Sequence, residues 1–370
     1  MALYERLRPV LFRVPPETAH DLGKRALRLA GWRGPTRAAT RYVYRYRHPK
    51  LRVEAFDVSF PNPVGVAAGF DKNAEVTHGL AAIGFGFVEV GTVTPYAQAG
   101  NPQPRLFRLP EDRALINRMG FNGHGADIVS RRLETGGVPK VPLGINVGKM
   151  NSSDQREAIE DYRRAFRRLA SHADYAVVNV SCPNTDDAFD ESSPAHIAEV
   201  FETLQDENDE DVPLLVKIGP DGSEDSYREL VRLVDRYDLD GFVATNTSTD
   251  REGLESPKRR EWGGLSGRPL AEPSTAVIRL LARESDKPIV GVGGVDSAEA
   301  AYRKIRAGAS LVQLYTGLIY RGPTIAREIN RGLVERLERD GFDAVSEAVG
   351  VDRDTPVEAE PASSEPRPEQ

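Results

Sequence analysis

Cys182 is the single cysteine of the chain, and it sits in Asn179-Val-Ser-Cys-Pro-Asn184, between two asparagines and before a proline. A free thiol titrates near 8.5, so modest help makes it a general base at neutral pH. A lone cysteine is more often a small buried hydrophobe, but the flanking amides favour chemistry here. No histidine follows closely, so a Cys–His nucleophile pair is unsupported. His20, His48, His78, His124, His172 and His196 show no metal-ligand spacing. Lys217 stands inside the apolar run Leu214-Leu-Val-Lys-Ile218. A lysine aimed into a core is costly unless it meets an anion or an electron-rich ring; the alternative is a stem that snorkels its amine to water. Asn146, Asn179, Asn184 and Asn246 complete the set, with Lys72 beside them. Buried amides need their donors and acceptors satisfied, so a ring of them around one mouth suits a planar heterocycle with amide edges.

Positioning these residues requires eight elements. Short apolar runs recur at Val64–Ala68, Phe87–Val90, Leu143–Val147, Ala176–Val180, Leu214–Ile218, Gly241–Ala244, Ile289–Val292 and Leu311–Tyr315, most of them ending in small, polar or glycine residues. A continuous apolar run is the mark of a parallel strand buried on both faces. Helical stretches such as Ala158–Ala170, Ser226–Tyr237, Ser274–Arg283 and Ala298–Ala307 separate them. The pattern predicts an α/β fold, a (β/α)8 TIM barrel with an N-terminal two-helix extension, whose chemistry lies where strands end and loops begin. Gly291-Val-Gly-Gly294 closes the seventh run and Tyr315-Thr-Gly317 the eighth, the two loops that commonly hold a phosphate on backbone N–H groups.

Three parts follow along the chain. In residues 1–50, Leu3, Leu7, Val10 and Leu11 share a helical face, and Leu22, Ala26 and Leu29 repeat at helical spacing beyond Pro15-Pro16, with Thr18-x-x-Asp21 as a capping box. The segment is either a helical lid packed on the barrel floor or an interfacial membrane element. Residues 51–340 form the barrel, with Val53–Phe60 as an extra strand or hairpin arm and a long insertion, Gly91–Val141, over the mouth. Residues 341–370, rich in Glu, Asp, Pro and Ser, read as a disordered acidic tail.

Composition narrows the function classes. No run approaches the ~20 apolar residues that span a bilayer, no secretory leader is visible, and one cysteine allows neither an intrachain disulfide nor a cysteine metal cluster; a reducing cytoplasmic setting is expected. Residues 1–50 carry twelve Lys/Arg against Glu5, Glu17 and Asp21, a balance of +9; the whole chain is −7, leaving −16 for the rest. A basic leader on an acidic body predicts an anionic surface as partner, a membrane before nucleic acid.

In order along the chain lie Ala67-Ala-Gly-Phe-Asp-Lys72, Gly91-Thr-Val-Thr94, Ile116-Asn-Arg-Met-Gly-Phe121, Asn146-Val-Gly-Lys149, Asn179-Val-Ser-Cys-Pro-Asn-Thr185, Val216-Lys-Ile218, Ala244-Thr-Asn-Thr247, Gly263-Gly-Leu-Ser-Gly-Arg-Pro269 and Gly291-Val-Gly-Gly294. Over about residues 1–335 this series resembles the dihydroorotate dehydrogenase family, and more closely its quinone-dependent, membrane-associated class. The resemblance implies oxidation of dihydroorotate to orotate on a bound FMN, with a membrane quinone as final acceptor, in pyrimidine synthesis. It implies that Ala68, Gly69, Lys72, Thr92, Asn146, Asn179, Lys217, Thr245, Gly267, Gly294, Tyr315 and Thr316 hold FMN, the last three near its phosphate. Lys72, Asn117, Arg118, Met119, Gly120, Phe121, Asn179, Asn184, Asn246 and Thr247 would hold the substrate. Cys182 would take the C5 proton while C6 passes hydride to the flavin, with Lys217 as a second catalytic group facing the reduced ring. Residues 1–30 would touch the cytoplasmic side of the cell membrane, and His20, Arg108 and Tyr315 would line quinone access. No metal and no nucleic acid are expected.

One residue departs from that class, which usually carries serine as base; cysteine is typical of the soluble class. The basic leader is a whole segment with its own physical logic, whereas Ser to Cys changes one atom and keeps the role, so the leader decides. The rival readings are a soluble enzyme passing electrons to fumarate or NAD, a flavin barrel acting on RNA pyrimidines, a colourless phosphate-sugar isomerase or aldolase, and an inactive binding scaffold. The −16 body offers no basic groove for RNA.

Overall fold

The computed structural model describes residues 2–32, 34–181 and 193–355. Eight parallel strands close into a barrel: β1 (Val64–Asp71), β2 (Phe87–Val93), β3 (Leu143–Val147), β4 (Tyr175–Asn179), β5 (Leu214–Ile218), β6 (Gly241–Ala244), β7 (Ile289–Val292) and β8 (Leu311–Leu314). Each pairs with its sequence neighbours, and β8 returns to β1 with Val312 opposite Val64. Every residue of β2 through β8 is buried, which is why these strands read as unbroken apolar runs. The outer helices are amphipathic. Gln155–Leu169 starts on a capping box between Asp154 and Glu157 and turns Ala158, Tyr162, Ala165, Phe166 and Leu169 inward.

An antiparallel hairpin, Val53–Ala55 with Val58–Phe60, plugs the barrel floor. Phe60 packs edge-on to Phe87 at 5.2 Å, and Phe56 meets Tyr175 at 5.3 Å. Gly65 and Gly144 make room for these rings: a Cβ would lie 2.4 Å from Phe87 and 2.2 Å from Tyr175. At the opposite end the Gly91–Val141 insertion contributes Leu106–Leu109 and Ala114–Asn117 to a three-stranded antiparallel sheet. The third strand, Gly264–Gly267, comes from the segment after β6 and was not expected; its Gly-Gly-Leu-Ser-Gly composition hides it.

The N-terminal segment forms three helices rather than two: α1 (Ala2–Leu11), α2 (Pro16–Ala30) and α3 (Pro35–Tyr44). α3 buries no side chain, so it carries no apolar stripe to read. α2 begins at Pro16, a residue suited to the first helical position, so Thr18 already lies inside the helix and the anticipated capping box does not form. α2 docks on the short helix Thr77–Ala82 through glycines. A Cβ at Gly79 would lie 2.1 Å from the Leu27 carbonyl oxygen, and one at Gly31 would lie 2.5 Å from the Gly79 nitrogen. Glu75 accepts from Lys24 and Arg28, and Glu17 pairs with Arg105 at 3.0 Å. α1 is fastened by Tyr4, whose hydroxyl donates to the Ile319 carbonyl at 2.6 Å, and by Phe12, edge-on to Tyr320.

The acidic C-terminal segment is not free of structure from residue 341. Val345 and Ala348 are fully buried, the Gly350 N–H donates to the Ile305 carbonyl, and Arg306 grips Asp352 with two nitrogens. A few apolar residues among the acids suffice to dock this stretch. Residues 356–370 lie outside the described residues.

Candidate active site

One cavity of about 740 Å³ opens at the C-terminal ends of the strands and continues to α2. Strand ends and loops supply its walls: Ala68 and Gly69 on β1 and Lys72 just after it, Thr92 on β2, Asn179 on β4, Lys217 on β5, and Thr245, Asn246 and Thr247 after β6. The insertion adds Asn117, Met119, Gly120 and Phe121. Lys217 is only 5% exposed, although it faces this space. The Lys72 ammonium donates to Asn122 Oδ1. Two non-proline cis peptides, Gly91-Thr92 and Ala244-Thr245, lie at the strand ends that present Thr92 and Thr245.

The amides are joined into a chain. Thr92 Oγ1 donates to Asn146 Oδ1 at 2.6 Å and accepts from Asn179 Nδ2 at 3.0 Å. Asn246 Nδ2 donates to Asn179 Oδ1 at 3.2 Å and to the Ser181 carbonyl at 2.9 Å. Ser181 Oγ donates to the Lys217 carbonyl at 2.9 Å, and the Tyr162 hydroxyl donates to the Asn179 carbonyl at 2.7 Å. The backbone leading to Cys182 is thereby pinned to three strands. Cys182 and Asn184 themselves lie outside the described residues.

At the other side Gly293 and Gly294 take φ values of 113° and 70°, and a Cβ at Gly294 would lie 2.5 Å from Ala271 Cα. Such paired glycines leave successive backbone N–H groups free to face an anion. Gly267, Tyr315 and Thr316 complete this end, where Ser266 and Thr316 hydroxyls meet at 2.8 Å. Behind the glycines Lys304 is fully buried and donates to Ser274 Oγ at 2.9 Å, Thr275 Oγ1 at 3.1 Å and the Ala271 carbonyl at 3.3 Å. Burial brings its ammonium down to about 7.

An unfolded lysine titrates near 10.4, so between that value and about 7 the unfolded chain holds the extra proton. The stability contributed by this site is full above the unfolded pKa and declines as pH falls toward 7. Lys304→Met is expected to flatten the rise of unfolding free energy with pH by up to about 1.4 kcal/mol per pH unit in that window. Denaturant unfolding of both proteins at several pH values measures this, and parallel curves would refute it.

Toward α2 the cavity passes His20, Phe70 and Tyr315. The His20 ring is edge-on to Phe70 at 5.0 Å, and Phe70 is edge-on to Tyr315 at 5.7 Å. Burial, aided by the Lys24 charge, pulls the His20 imidazole down to about 4, so it is neutral at pH 7. Burial and then Glu17 push the Tyr315 phenol up to about 12. The outer rim is mixed in polarity: Glu17, Asp21 and Lys24 join Pro15 and Pro16 there.

Three anticipated residues do not line the cavity. Arg118 turns outward, pairing with Glu261 at 2.7 Å and stacking over Phe107 and Trp262. Arg108 is drawn to the carbonyls of Phe12 and Val14 and lies over the Phe12 ring, anchoring the α1–α2 junction. Asn146 is fully buried behind Thr92, one layer from the wall. Conversely, Gln313 and Ser266 line the space unforeseen, and Glu89 supports it from the core. A charged residue inside the apolar run Phe87–Val90 is the same signal that singled out Lys217, and it was readable.

A closed parallel barrel with an amide-lined, lysine-bearing mouth and a glycine cradle defines a (β/α)8 enzyme class with its ligand space at the strand ends. The sequence profile of the family described as Dihydroorotate dehydrogenase matches residues 50–337. The chain is 53% identical over 354 residues to the dihydroorotate dehydrogenase (quinone) of Natronomonas pharaonis, covering 95% of this chain and 100% of that one. It is 51% identical over 351 residues to that of Halobacterium salinarum, again over 95% and 100%. A crystal structure of the Eimeria tenella enzyme in complex with ferulenol superposes with a TM-score of 0.84 at 35% identity, covering 93% and 98%. The chain belongs to the dihydroorotate dehydrogenase family and is an oxidoreductase.

Proposed function

We propose that this protein oxidises dihydroorotate to orotate on a bound FMN and passes the electrons to a membrane quinone, as a step of pyrimidine synthesis. The observation that carries the proposal is the single cavity joining the amide-lined mouth to α2, which gives one ligand space access to both the barrel and the N-terminal helices. The chain's own residues fit FMN. Thr245 Oγ1 is buried without a partner among the described residues, the Gly293-Gly294 turn offers backbone N–H groups for a phosphate, and Lys217 brings a buried cation to the ring. Bound FMN would supply the hydride acceptor for C6 of the substrate and the electron source for quinone. Lys72 pairs with the substrate carboxylate, Asn179 and Asn246 hold the pyrimidine edges, and Cys182 takes the proton from C5. The Gly91–Val141 insertion excludes water.

Membrane contact is proposed for the N-terminal helices. Of the eleven large apolar side chains left exposed among the described residues, seven belong to residues 1–50: Leu7, Val10, Leu22, Leu29, Trp32, Tyr42 and Val43. Arg6, Arg13 and Arg25 are exposed among them, a combination suited to the lipid interface. No helix among the described residues is long and apolar enough to cross a membrane, so the contact is peripheral.

The test is anaerobic mixing of purified protein with dihydroorotate, followed by separate additions of menaquinone, ubiquinone, fumarate and NAD. Bleaching of a yellow protein and reoxidation by a quinone are expected. Absence of bleaching removes the flavin reading, and reoxidation by fumarate or NAD alone removes the quinone. Gly79→Val should separate the two half-reactions, because its side chain would force α2 off the barrel. Bleaching should stay within about twofold of wild type while quinone reoxidation slows roughly tenfold or more, the scale of a local overpacking strain of ~1–3 kcal/mol.

A further inference from the structure

Glu89 is a fully buried residue of β2 that faces the barrel interior. Its Oε1 accepts from Asn146 Nδ2 at 3.0 Å and its Oε2 from Gln313 Nε2 at 2.6 Å. A buried carboxylate is tolerated only when its oxygens are hydrogen-bonded, yet this one takes donors from two neutral amides. Both carboxyl oxygens act as acceptors here, so the group dictates which end of each neighbouring amide turns toward it.

That constraint propagates. With Nδ2 held by Glu89, Asn146 presents Oδ1 to Thr92, which must donate its hydroxyl proton there. Thr92 Oγ1 is then left as an acceptor, so Asn179 turns Nδ2 to it. Asn179 Oδ1 in turn receives Asn246 Nδ2. Asn146, Thr92 and Asn179 thus point one way from an acceptor in the core, while Asn246, turned by the Ser181 carbonyl and the Thr247 N–H, meets them in the same sense. Asn179 keeps its second N–H for the cavity, and Asn246 Oδ1 is occupied by the Thr247 N–H. Reversal of the chain would offer oxygens where donors now stand.

We infer that Glu89 is a positioning residue that sets the donor–acceptor direction of the Asn146–Thr92–Asn179 chain, and that this direction makes the site select a pyrimidine-type ligand presenting a carbonyl oxygen to Asn179. The inference rests on the FMN and dihydroorotate reading given above and adds to it the residue that fixes ligand polarity.

The test uses the full-length FMN-loaded enzyme and reads orotate affinity from the change in flavin absorbance, with FMN content and melting temperature recorded beside it. Glu89→Gln has nearly the same shape but can donate as well as accept, so the chain loses its enforced direction. Orotate binding should weaken roughly tenfold, the scale of one misdirected hydrogen bond. Because the effect travels through Thr92, Glu89→Gln made in a Thr92→Val background should change orotate affinity less than about twofold. If Glu89→Gln folds poorly, the double variant E89Q/N146D places a carboxylate at position 146 that accepts from both the new amide at position 89 and Thr92, and should bind orotate within about threefold of wild type. Unchanged orotate affinity in Glu89→Gln, the same fold-loss in the Thr92→Val background, or tenfold weaker binding by a folded double variant each overturns the assignment. A colourless wild type that takes up no FMN overturns the underlying reading and this inference together, whereas a yellow wild type with unaffected variants overturns this inference alone.

Discussion

Replacing Cys182 with alanine is expected to slow bleaching of the enzyme by dihydroorotate by about 10²–10⁴-fold, the usual worth of a positioned general base. FMN content and orotate affinity should stay near wild type, because the role proposed for the thiol is removal of a proton rather than binding. The proposal has a local basis. The residues just before Cys182 are held at Asn179 by Tyr162 and Thr92, and at Ser181 by Asn246 and the Lys217 carbonyl. The chain therefore leaves β4 from the wall of the cavity.

The pH dependence gives a second readout. A thiol ionises near 8.5 and a serine hydroxyl far higher, so Cys182→Ser should keep the flavin, lose rate, and move the pH–rate profile upward. Stopped-flow bleaching at a series of pH values measures both variants. Wild-type rates in Cys182→Ala would mean that another group removes the proton.

Lys217→Met is expected to lower the bleaching rate roughly 10²–10³-fold, the range found when one preorganised electrostatic group is removed from a buried site. All five residues of β5 are buried, and the strand holds Lys217 between neighbours on β4 and β6. The cost of keeping a cation there is met during folding, so no reorganisation is needed when negative charge develops nearby. Methionine preserves the stem and removes the charge. FMN should also dissociate more readily, which fluorescence of released flavin would record. A Lys217→Met protein that retains FMN and bleaches at the wild-type rate would remove Lys217 from the proposed machinery.

Much of this architecture is legible in the chain because its causes are local. A strand buried on both faces must be apolar throughout, so eight such runs announce the barrel, and polar residues at their ends announce its mouth. Lys72, Asn179, Lys217 and Asn246 were found on that ground, and the cavity brings them together. Val53–Phe60 and the insertion over the mouth were readable for the same reason.

What escaped reading depends on contacts between distant segments. α3 has no buried stripe, and Gly264–Gly267 becomes a strand only because Ala114–Asn117 lies beside it. Arg118 leaves the site for Glu261, and Arg108 for the Phe12 and Val14 carbonyls in the loop after α1, partners 143 and 94–96 residues away in sequence. The docking of residues 343–355 likewise needs Ile305 and Arg306. By itself the sequence determined the barrel, the end at which chemistry occurs and the residue types gathered there, since burial and backbone period act over a few residues. Only the tertiary structure decided which side chains face the cavity, how α2 extends it, and which way the amides point, since direction in a hydrogen-bond chain is imposed by a neighbour from another strand.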